Sequence, residues 1–133
     1  GLFHAIGYIP PAELPDQEYP LILSTGRVLY HYHTGTMTRL AQGPSERCPE
    51  SLIEIHPEDA RAYGISDGQK VRVTSRRGQV EAKAQVTEKS PVGTIFMNFH
   101  FREVAVNLLT NAALDPIGKI PEYKVCAVKV EAA

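Results

Sequence analysis

The segment Leu21-Ile-Leu-Ser-Thr-Gly-Arg-Val-Leu-Tyr-His-Tyr-His-Thr-Gly-Thr-Met-Thr38 changes character partway along. It begins as an apolar run after Pro20, which predicts a short buried strand that ends near Thr25. Glycine, arginine, histidine, tyrosine and threonine residues then replace most of the apolar ones. Because a loop that follows a buried strand is exposed but firmly anchored, we expect binding groups in residues 25–38.

The chemistry of this loop favours an anionic, hydrogen-bonding ligand such as a nucleotide or its pyrophosphate. Gly26 and Gly35 allow a close approach of the backbone. Arg27 offers a planar guanidinium for phosphate, and the threonine hydroxyls both donate and accept hydrogen bonds. Neither phosphate-loop pattern, GxGxxG or GxxxxGK(S/T), occurs in the chain. The residue types therefore leave two interpretations open, a ligand loop or an ordinary surface loop.

Composition limits the classes of function. The 133-residue chain is 43% hydrophobic and 22% charged, which is typical of one globular domain. Its formal net charge of -1 argues against nucleic-acid binding, because that requires a clustered positive excess. No apolar run approaches the ~20 residues of a membrane span, so we expect no membrane contact. The chain begins at Gly1 without methionine, and we expect the native protein to be longer.

The two cysteines, Cys48 and Cys126, are too few for a disulfide framework. Cys126 lies in an alternating run that predicts a buried or half-buried strand position, whereas Cys48 precedes Pro49 in a polar loop. We expect both to be reduced thiols, which is compatible with a cytoplasmic protein.

The chain divides into a leader and one domain. Four prolines in the first twenty residues oppose regular structure, so residues 1–18 are predicted to be an extended linker from upstream domains. Residues 19–133 are the predicted domain. Within it, Gly43-Pro-Ser45 marks a break, and residues 40–48 are expected to be surface loop.

Sequence periodicity predicts five to seven short strands in the domain. The clearest local structure is a hairpin, with strands at 69–75 and 79–87 joined by Arg76-Arg77-Gly78. Other strands are predicted at 21–25, 51–56, 94–101 and 123–130, a short helix at 58–63 and a helical face within 102–113. This pattern is typical of a closed or nearly closed β-barrel with small helices.

Some polar residues have simpler explanations than ligand binding. Arg76 and Arg77 could bind phosphate, but a solvated turn at the hairpin tip explains them better. His31, His33 and His100 could bind zinc, although no Cys/His pair completes the three or four ligands that zinc requires. His56, before Pro57, is typical of a helix entry.

A series of short motifs, each weak alone, gives a specific resemblance through its order and spacing. The chain resembles the C-terminal molybdopterin-dinucleotide-binding domain of molybdenum or tungsten oxidoreductases, and within that family the catalytic (alpha) subunit of formate dehydrogenase. The motifs are Tyr19-Pro-Leu-Ile-Leu-Ser-Thr-Gly-Arg27, His31, Met37-Thr38, Ile55-His-Pro-Glu-Asp-Ala60, Tyr63-Gly-Ile-Ser-Asp-Gly68, Val71-Arg-Val-Thr-Ser-Arg-Arg-Gly78, Gly93-Thr-Ile-Phe-Met97, Asn107-Leu-Leu-Thr110 and Pro121-Glu-Tyr-Lys124.

The resemblance implies a mainly β fold, the double-psi β-barrel of the aspartate-decarboxylase-like class with short helices. It implies a domain that holds the bis-molybdopterin guanine dinucleotide of an enzyme that oxidises formate to CO2. In the family the metal and its ligands lie in domains N-terminal to the barrel. We therefore expect no catalytic residue, no metal ligand and no retained cofactor in this domain alone. The implied partners are those N-terminal domains and iron–sulfur electron-transfer subunits, in the cytoplasm or, for some parent enzymes, the periplasm.

The resemblance also implies which residues contact the cofactor. Thr25–Arg27 match a turn against it, Phe99–Phe101 an aromatic segment beside the pterin, and Asn107 an asparagine near the dinucleotide. Tyr123 and Lys124 match a closing pair near the pterin or phosphates. The full predicted set is Thr25, Gly26, Arg27, His31, His33, Met37, Thr38, Phe99, His100, Phe101, Asn107, Tyr123 and Lys124.

Two other functions stay open from the sequence. A freestanding double-psi barrel could act as an interaction or adaptor module, because a fold does not fix a function. A separate dinucleotide-binding subunit of a related molybdenum or tungsten enzyme is the second alternative. The choice of molybdenum or tungsten and the electron acceptor also stay open.

Overall fold

The structure is a computed structural model that describes residues 1–133. Six strands form one closed barrel, in the order β1-β5-β2-β4-β3-β6. The strands are β1 Leu21–Gly26, β2 Leu52–Ile55, β3 Lys70–Thr74, β4 Gln79–Val86, β5 Thr94–Asn98 and β6 Cys126–Ala132. Two of the six pairings, β1 with β5 and β2 with β4, are parallel, and the other four are antiparallel. The predicted fold class, a mainly β double-psi barrel with short helices, is confirmed.

The barrel interior is the hydrophobic core. Side chains along a strand alternate between inside and outside, and β1 shows this pattern with Leu21 and Leu23 buried and Ile22 and Ser24 less so. Facing strands contribute Ile53, Ile55, Val71, Val73, Ile95, Met97, Val128 and Val130. Since each fully buried aliphatic side chain contributes about 1.5–3 kcal/mol, this core is the main source of stability.

Strand pairing brings three separate segments to one end of the barrel. β1 and β5 run parallel in register from Ile22 opposite Thr94 to Gly26 opposite Asn98. Both strands therefore end at the same place. β6 is antiparallel to β1 and begins opposite Leu23, so the segment that precedes β6 also enters there. The loops after β1 and β5 and the residues before β6 consequently surround one opening.

Short helices fill the connections between the strands. The helix α2, Pro57–Ala62, follows β2, and the imidazole of His56 caps it by accepting a hydrogen bond from the Glu58 N–H at 3.2 Å. The predicted role of His56 at a helix entry is confirmed. No helix in the structure has the length and apolar character needed to cross a bilayer.

Two connections differ from their predictions. The surface loop expected at 40–48 is wrong, because Gln42–Arg47 form the helix α1. Pro44 is the third residue of that helix, where a missing N–H group breaks no helical hydrogen bond. The helical face expected within 102–113 is wrong as well, since the chain makes two 3-10 turns, Arg102–Val104 and Val106–Leu108.

Two strands are shorter at the open end than predicted. β5 ends at Asn98 rather than at residue 101, and β6 begins at Cys126 rather than at residue 123. In both cases the chain stays bonded to β1 beyond the end of the strand. The N–H of Phe99 donates to the Gly26 carbonyl at 3.3 Å, and the Tyr123 carbonyl accepts from the Thr25 hydroxyl.

The leader contacts the tip of the β3–β4 hairpin. The Glu13 carboxylate pairs with Arg76 at 2.6 Å and with Arg77 at 2.7 Å, and Asp16 also pairs with Arg76. The guanidinium of Arg76 lies over the Tyr19 ring, 4.5 Å from its centre. The hairpin tip is exposed, as predicted for a turn, but its two cations are paired within the chain. The division at residues 18 and 19 stays a prediction.

Candidate ligand-binding cavity

A cavity of about 620 Å³ lies at the open end of the barrel, where the three segments meet. Its lining contains hydroxyl, amide, imidazole, aromatic and cationic groups, and every formally charged side chain in it is positive. The lining residues are Thr25, Arg27, His33, Thr34, Phe99, Asn107, Tyr123 and Lys124. Thr34 alone was not in the predicted set. A concave surface that carries one sign of charge concentrates ions of the opposite sign, so the cavity suits an anion.

One wall of the cavity joins the end of β1 to the residues before β6. The Thr25 hydroxyl donates to the Tyr123 carbonyl at 2.7 Å, and the Lys124 ammonium donates to the Thr25 carbonyl. Thr25 is buried, whereas Tyr123 and Lys124 are exposed at the opening. These long-range bonds fix the position of the Lys124 charge relative to the barrel.

Gly26 belongs to the same wall. A Cβ atom at this position would lie 2.6 Å from Cε2 of the Phe96 ring and 3.6 Å from the Lys124 ammonium nitrogen. Only glycine fits here without moving the ring. Gly26 therefore keeps the backbone close to Phe96 and Lys124, although it is not itself part of the cavity lining.

The loop after β1 supplies a further part of the cavity lining. Arg27 is exposed and makes no hydrogen bond or ion pair with any protein group, so its five N–H donors are free for a ligand. His33 has a positive φ of 46°, a backbone conformation that non-glycine residues seldom adopt. His33 and Thr34 in this conformation face the same cavity as Arg27.

Several residues of the predicted set lie behind the cavity instead of lining it. His31 is buried, and its ring bonds to the Thr38 hydroxyl at 3.0 Å and donates to the Cys48 carbonyl at 2.7 Å. Phe101 is buried, and its ring is nearly perpendicular to that of His31, with 5.2 Å between the ring centres. These residues, with His100, support the loop from within the molecule.

Met37, a member of the predicted set, neither lines the cavity nor supports its loop from the core. Its side chain is 65% exposed, and it lines none of the larger cavities. Met37 therefore makes no contact with the 620 Å³ cavity.

The histidines do not assemble a metal centre. No group of three or more His, Cys, Asp or Glu side chains has a geometry that could hold a metal ion. Both ring nitrogens of His31 and of His100 are engaged in hydrogen bonds to protein groups. The two cysteines are free, and burial raises the pKa of the Cys126 thiol to about 11.

A second cavity, of about 440 Å³, is lined by charged groups that pair with one another. Its cations are matched by carboxylates, with Arg39 paired to Glu103 at 3.0 Å and Lys83 paired to Glu50 at 2.8 Å. Because these charges neutralise each other, the second cavity offers no net charge to a ligand. The 620 Å³ cavity contrasts with it, since no carboxylate is in its lining.

The barrel and this cavity define a small domain whose open end presents cations, hydroxyls, an amide and aromatic faces, groups that suit a phosphate-bearing ligand. The profile of the family described as "Molydopterin dinucleotide binding domain" matches residues 21–127, and the chain belongs to that family. The donor set fits such a cofactor, which carries phosphates, polar ring edges and flat faces.

Curated relatives share about half of their residues with the chain. It is 53% identical over 131 residues to "F420-dependent formate dehydrogenase 1 subunit alpha" of Methanococcus maripaludis, covering 98% of this chain and 19% of that protein. It is equally similar to "F420-dependent formate dehydrogenase subunit alpha" of Methanocaldococcus jannaschii, covering 98% of this chain and 20% of that protein. The chain thus spans about a fifth of the length of these relatives.

A solved structure supports the fold. The barrel matches acetylene hydratase from Pelobacter acetylenicus with a TM-score of 0.75 at 19% sequence identity, covering 86% of this chain and 18% of that one. At this level of identity the similarity concerns the architecture alone.

Proposed function

We propose that this domain holds the guanine dinucleotide form of molybdopterin, with molybdenum or tungsten, in a larger formate dehydrogenase that oxidises formate to CO2. The proposal depends on one observation: Arg27 is exposed and unpaired, and it lies in a cavity whose only charged side chains are positive. The 53% identity to formate dehydrogenase alpha subunits supports the choice of enzyme.

The residues of the cavity suit different parts of the cofactor, according to their chemistry. Arg27 and Lys124 supply charge-assisted hydrogen bonds to phosphate oxygens. Asn107 and the hydroxyls of Thr25 and Thr34 suit the polar edges of a guanine or pterin ring. When bound, the cofactor supplies the metal and the redox chemistry, while the domain positions it and excludes water.

Other parts of the parent enzyme follow as proposals from the relatives. Since the chain covers 19% of the Methanococcus maripaludis protein, we expect domains of the same catalytic subunit to complete the cofactor site. We further propose iron–sulfur subunits as electron-transfer partners, F420 as the acceptor and a cytoplasmic location. The free thiols of Cys48 and Cys126 are compatible with that location.

Neither alternative function gains support from the structure. An adaptor module has no need of an unpaired arginine beside converging hydroxyl and amide groups. A separate subunit is disfavoured because the relatives carry the matching region within a chain about five times longer.

The test is a titration of the ¹⁵N-labelled 133-residue chain with GMP, with AMP as the matched control. We expect amide shifts at Thr25–Arg27, Thr34, Asn107 and Lys124, and larger ones for GMP than for AMP. Shifts confined to the hairpin tip at 75–78 would contradict the proposal, as would equal responses to the two nucleotides. Binding is expected to be weak, because other domains supply the rest of the cofactor site.

A further inference from the structure

One buried imidazole holds the loop that carries Arg27 and His33. His100 is 0% exposed. Its Nε2 atom accepts a hydrogen bond from the Val28 N–H at 2.9 Å, and its Nδ1 atom bonds to the carbonyl oxygen of His33. A single ring therefore ties both ends of the 28–33 segment to the chain that leaves β5.

These two bonds specify the protonation state of His100. A backbone N–H can only donate, so Nε2 must present its lone pair to Val28. A carbonyl oxygen can only accept, so Nδ1 must carry the proton that bonds to His33. The ring is consequently the neutral Nδ1–H tautomer. A second proton on Nε2 would face the Val28 N–H and remove that bond.

The held segment is strained, which makes the support by His100 significant. His33 has a φ of 46°, and a non-glycine residue keeps such a backbone only where its surroundings hold it. The His100 bond to the His33 carbonyl is one restraint. A second is the bond from the Gly35 N–H to the Tyr32 carbonyl at 2.9 Å.

The surroundings of His100 oppose a positive charge on its ring. The His31 ring centre lies 5.6 Å away. Burial, followed by the effects of His31, Arg27 and His33, holds the pKa of His100 below its ordinary value of 6.5, against the opposite effect of the His33 carbonyl. The charged groups that line a neighbouring cavity with His100 are Arg39, Arg102 and Glu103, and Glu103 is paired to Arg39.

We propose that neutral His100 is a positioning residue, which fixes the 28–33 segment so that Arg27 and His33 face the cavity, and that its protonation releases this segment. The domain would then hold its ligand near neutral pH and lose the binding geometry in acid. The identity of the ligand rests on the proposed function, whereas release of the loop can be measured without any ligand.

The first experiment uses the ligand-free 133-residue chain, whose closed barrel has its own core. Ring ¹⁵N shifts report the tautomer of His100, and amide exchange reports protection of the Val28 N–H. We expect the Nδ1–H tautomer at neutral pH. As the pH falls from the ordinary imidazole pKa of 6.5 towards the lowered pKa of the held ring, the equilibrium constant for opening at Val28 should rise by up to about tenfold per pH unit, the limit for uptake of one proton, and then level off. Core amides such as Ile95 should keep their protection.

The second experiment replaces the titrating ring. In His100→Gln, the side-chain carbonyl can reach the Nε2 position and accept from Val28, but it cannot be protonated. We expect the acid-induced opening at Val28 to disappear in His100→Gln and to remain in the exposed control His4→Gln. An Nε2–H tautomer in the wild type, the same acid response in His100→Gln, or equal loss of protection at Ile95 would each overturn the proposal. If His100→Gln does not fold, the tautomer and the amide-exchange data of the wild type still test the proposal.

A third measurement connects the loop to the ligand. The affinity of the wild type for GMP should fall more steeply with decreasing pH than that of His100→Gln, because only the wild type has a ring whose protonation releases the loop. Protonation of the GMP phosphate affects both proteins equally and cancels in the comparison. Parallel pH profiles would overturn a positioning role in binding. Absence of GMP binding at every pH would instead count against the proposed function, and the Val28 data would still test His100.

Discussion

Arginine residues occur beside a glycine in two exposed turns of this molecule, and their surroundings differ. Arg76 and Arg77, at the hairpin tip, pair with Glu13 and Asp16 of the leader. Arg27, at the cavity, has no carboxylate partner in the chain. The cations of the hairpin tip thus help to attach the leader to the barrel, while that of the cavity is left for a group from outside. Pairing within the chain, rather than the presence of arginine, thus distinguishes the structural turn from the turn that we propose binds the ligand.

The largest effect expected from this comparison concerns cofactor retention. In the intact parent enzyme, Arg27→Ala should weaken binding by about 1.5–3 kcal/mol, because it removes a charge-assisted hydrogen bond. This corresponds to a roughly 10- to 150-fold loss in affinity. The pterin, guanine nucleotide and metal contents of the purified enzyme measure it. Arg76→Ala is the matched control, and equal cofactor contents in the two variants would contradict the distinction between the turns.

The glycines of the two turns should also behave differently. Gly26→Ala should destabilise the chain by about 1–3 kcal/mol, since its Cβ would lie 2.6 Å from the Phe96 ring. Gly78→Ala should change stability by less than about 0.5 kcal/mol, because its nearest neighbour, the Leu108 carbonyl, is 3.4 Å away. Urea unfolding of both variants measures the difference. Equal midpoints would show that the Phe96 ring moves aside without cost.

Removing the carboxylate that both hairpin arginines share should have a smaller effect. Burial raises the pKa of Glu13, but hydrogen bonds from Arg77 and Arg76 more than offset this and hold it below the ordinary 4.5. The stabilisation is therefore present above pH 4.5 and lost as the pH falls through the lowered value. Glu13→Gln should cost at most about 1 kcal/mol at neutral pH after screening by solvent.

Urea unfolding at neutral and acidic pH tests this expectation for Glu13→Gln, with the exposed, unpaired Glu88→Gln as control. The difference in the free energy of unfolding between Glu13→Gln and the wild type should vanish in acid, because the wild-type carboxylate is then protonated and as uncharged as the glutamine. GMP affinity should be unchanged in both variants. A loss of GMP affinity in Glu13→Gln would show that the leader and the cavity are coupled, contrary to the contrast between the two turns.

The smallest effect concerns the aromatic ring under Arg76. Tyr19→Leu removes the ring that lies 4.5 Å from the guanidinium carbon but keeps an apolar side chain. We expect a stability loss smaller than that of Glu13→Gln, because an exposed cation–π contact is weak. Thermal unfolding of both variants compares them. A larger loss for Tyr19→Leu would mean that packing of this ring on Arg76, rather than the ion pairs with the leader, is the main stabilising contact of the hairpin tip.

Most of the fold was predictable because it depends on local patterns. The hairpin, the β1 strand and the entry of α2 at His56 each follow from alternation, an apolar run or a proline position, and the structure contains all three. The helix α1 was missed because glycine and proline at positions 43 and 44 indicated a loop. Both residues fall in the first turn of the helix, where proline is tolerated.

The candidate site was only partly predictable because its arrangement depends on contacts between distant residues. Family resemblance identified the segments that surround the cavity, yet residue type could not tell a lining residue from a supporting one. His33 faces the cavity whereas His31, two residues earlier, is buried. Thr34 was missed because nothing local separates it from the other threonines of its loop. The partners of Arg76 and Arg77 lie some 60 residues away in the leader.

Closure of the barrel also determines how this domain can join a larger enzyme. Because each of the six strands has a neighbour on both sides, the sheet has no free edge along which another chain could add a strand. Contacts with other domains of the proposed parent enzyme would then be made by side chains and by the leader rather than by added strands. A closed barrel of this kind can thus be part of a longer chain without any break in its sheet, provided that the loops at its open end fit the surfaces that they meet.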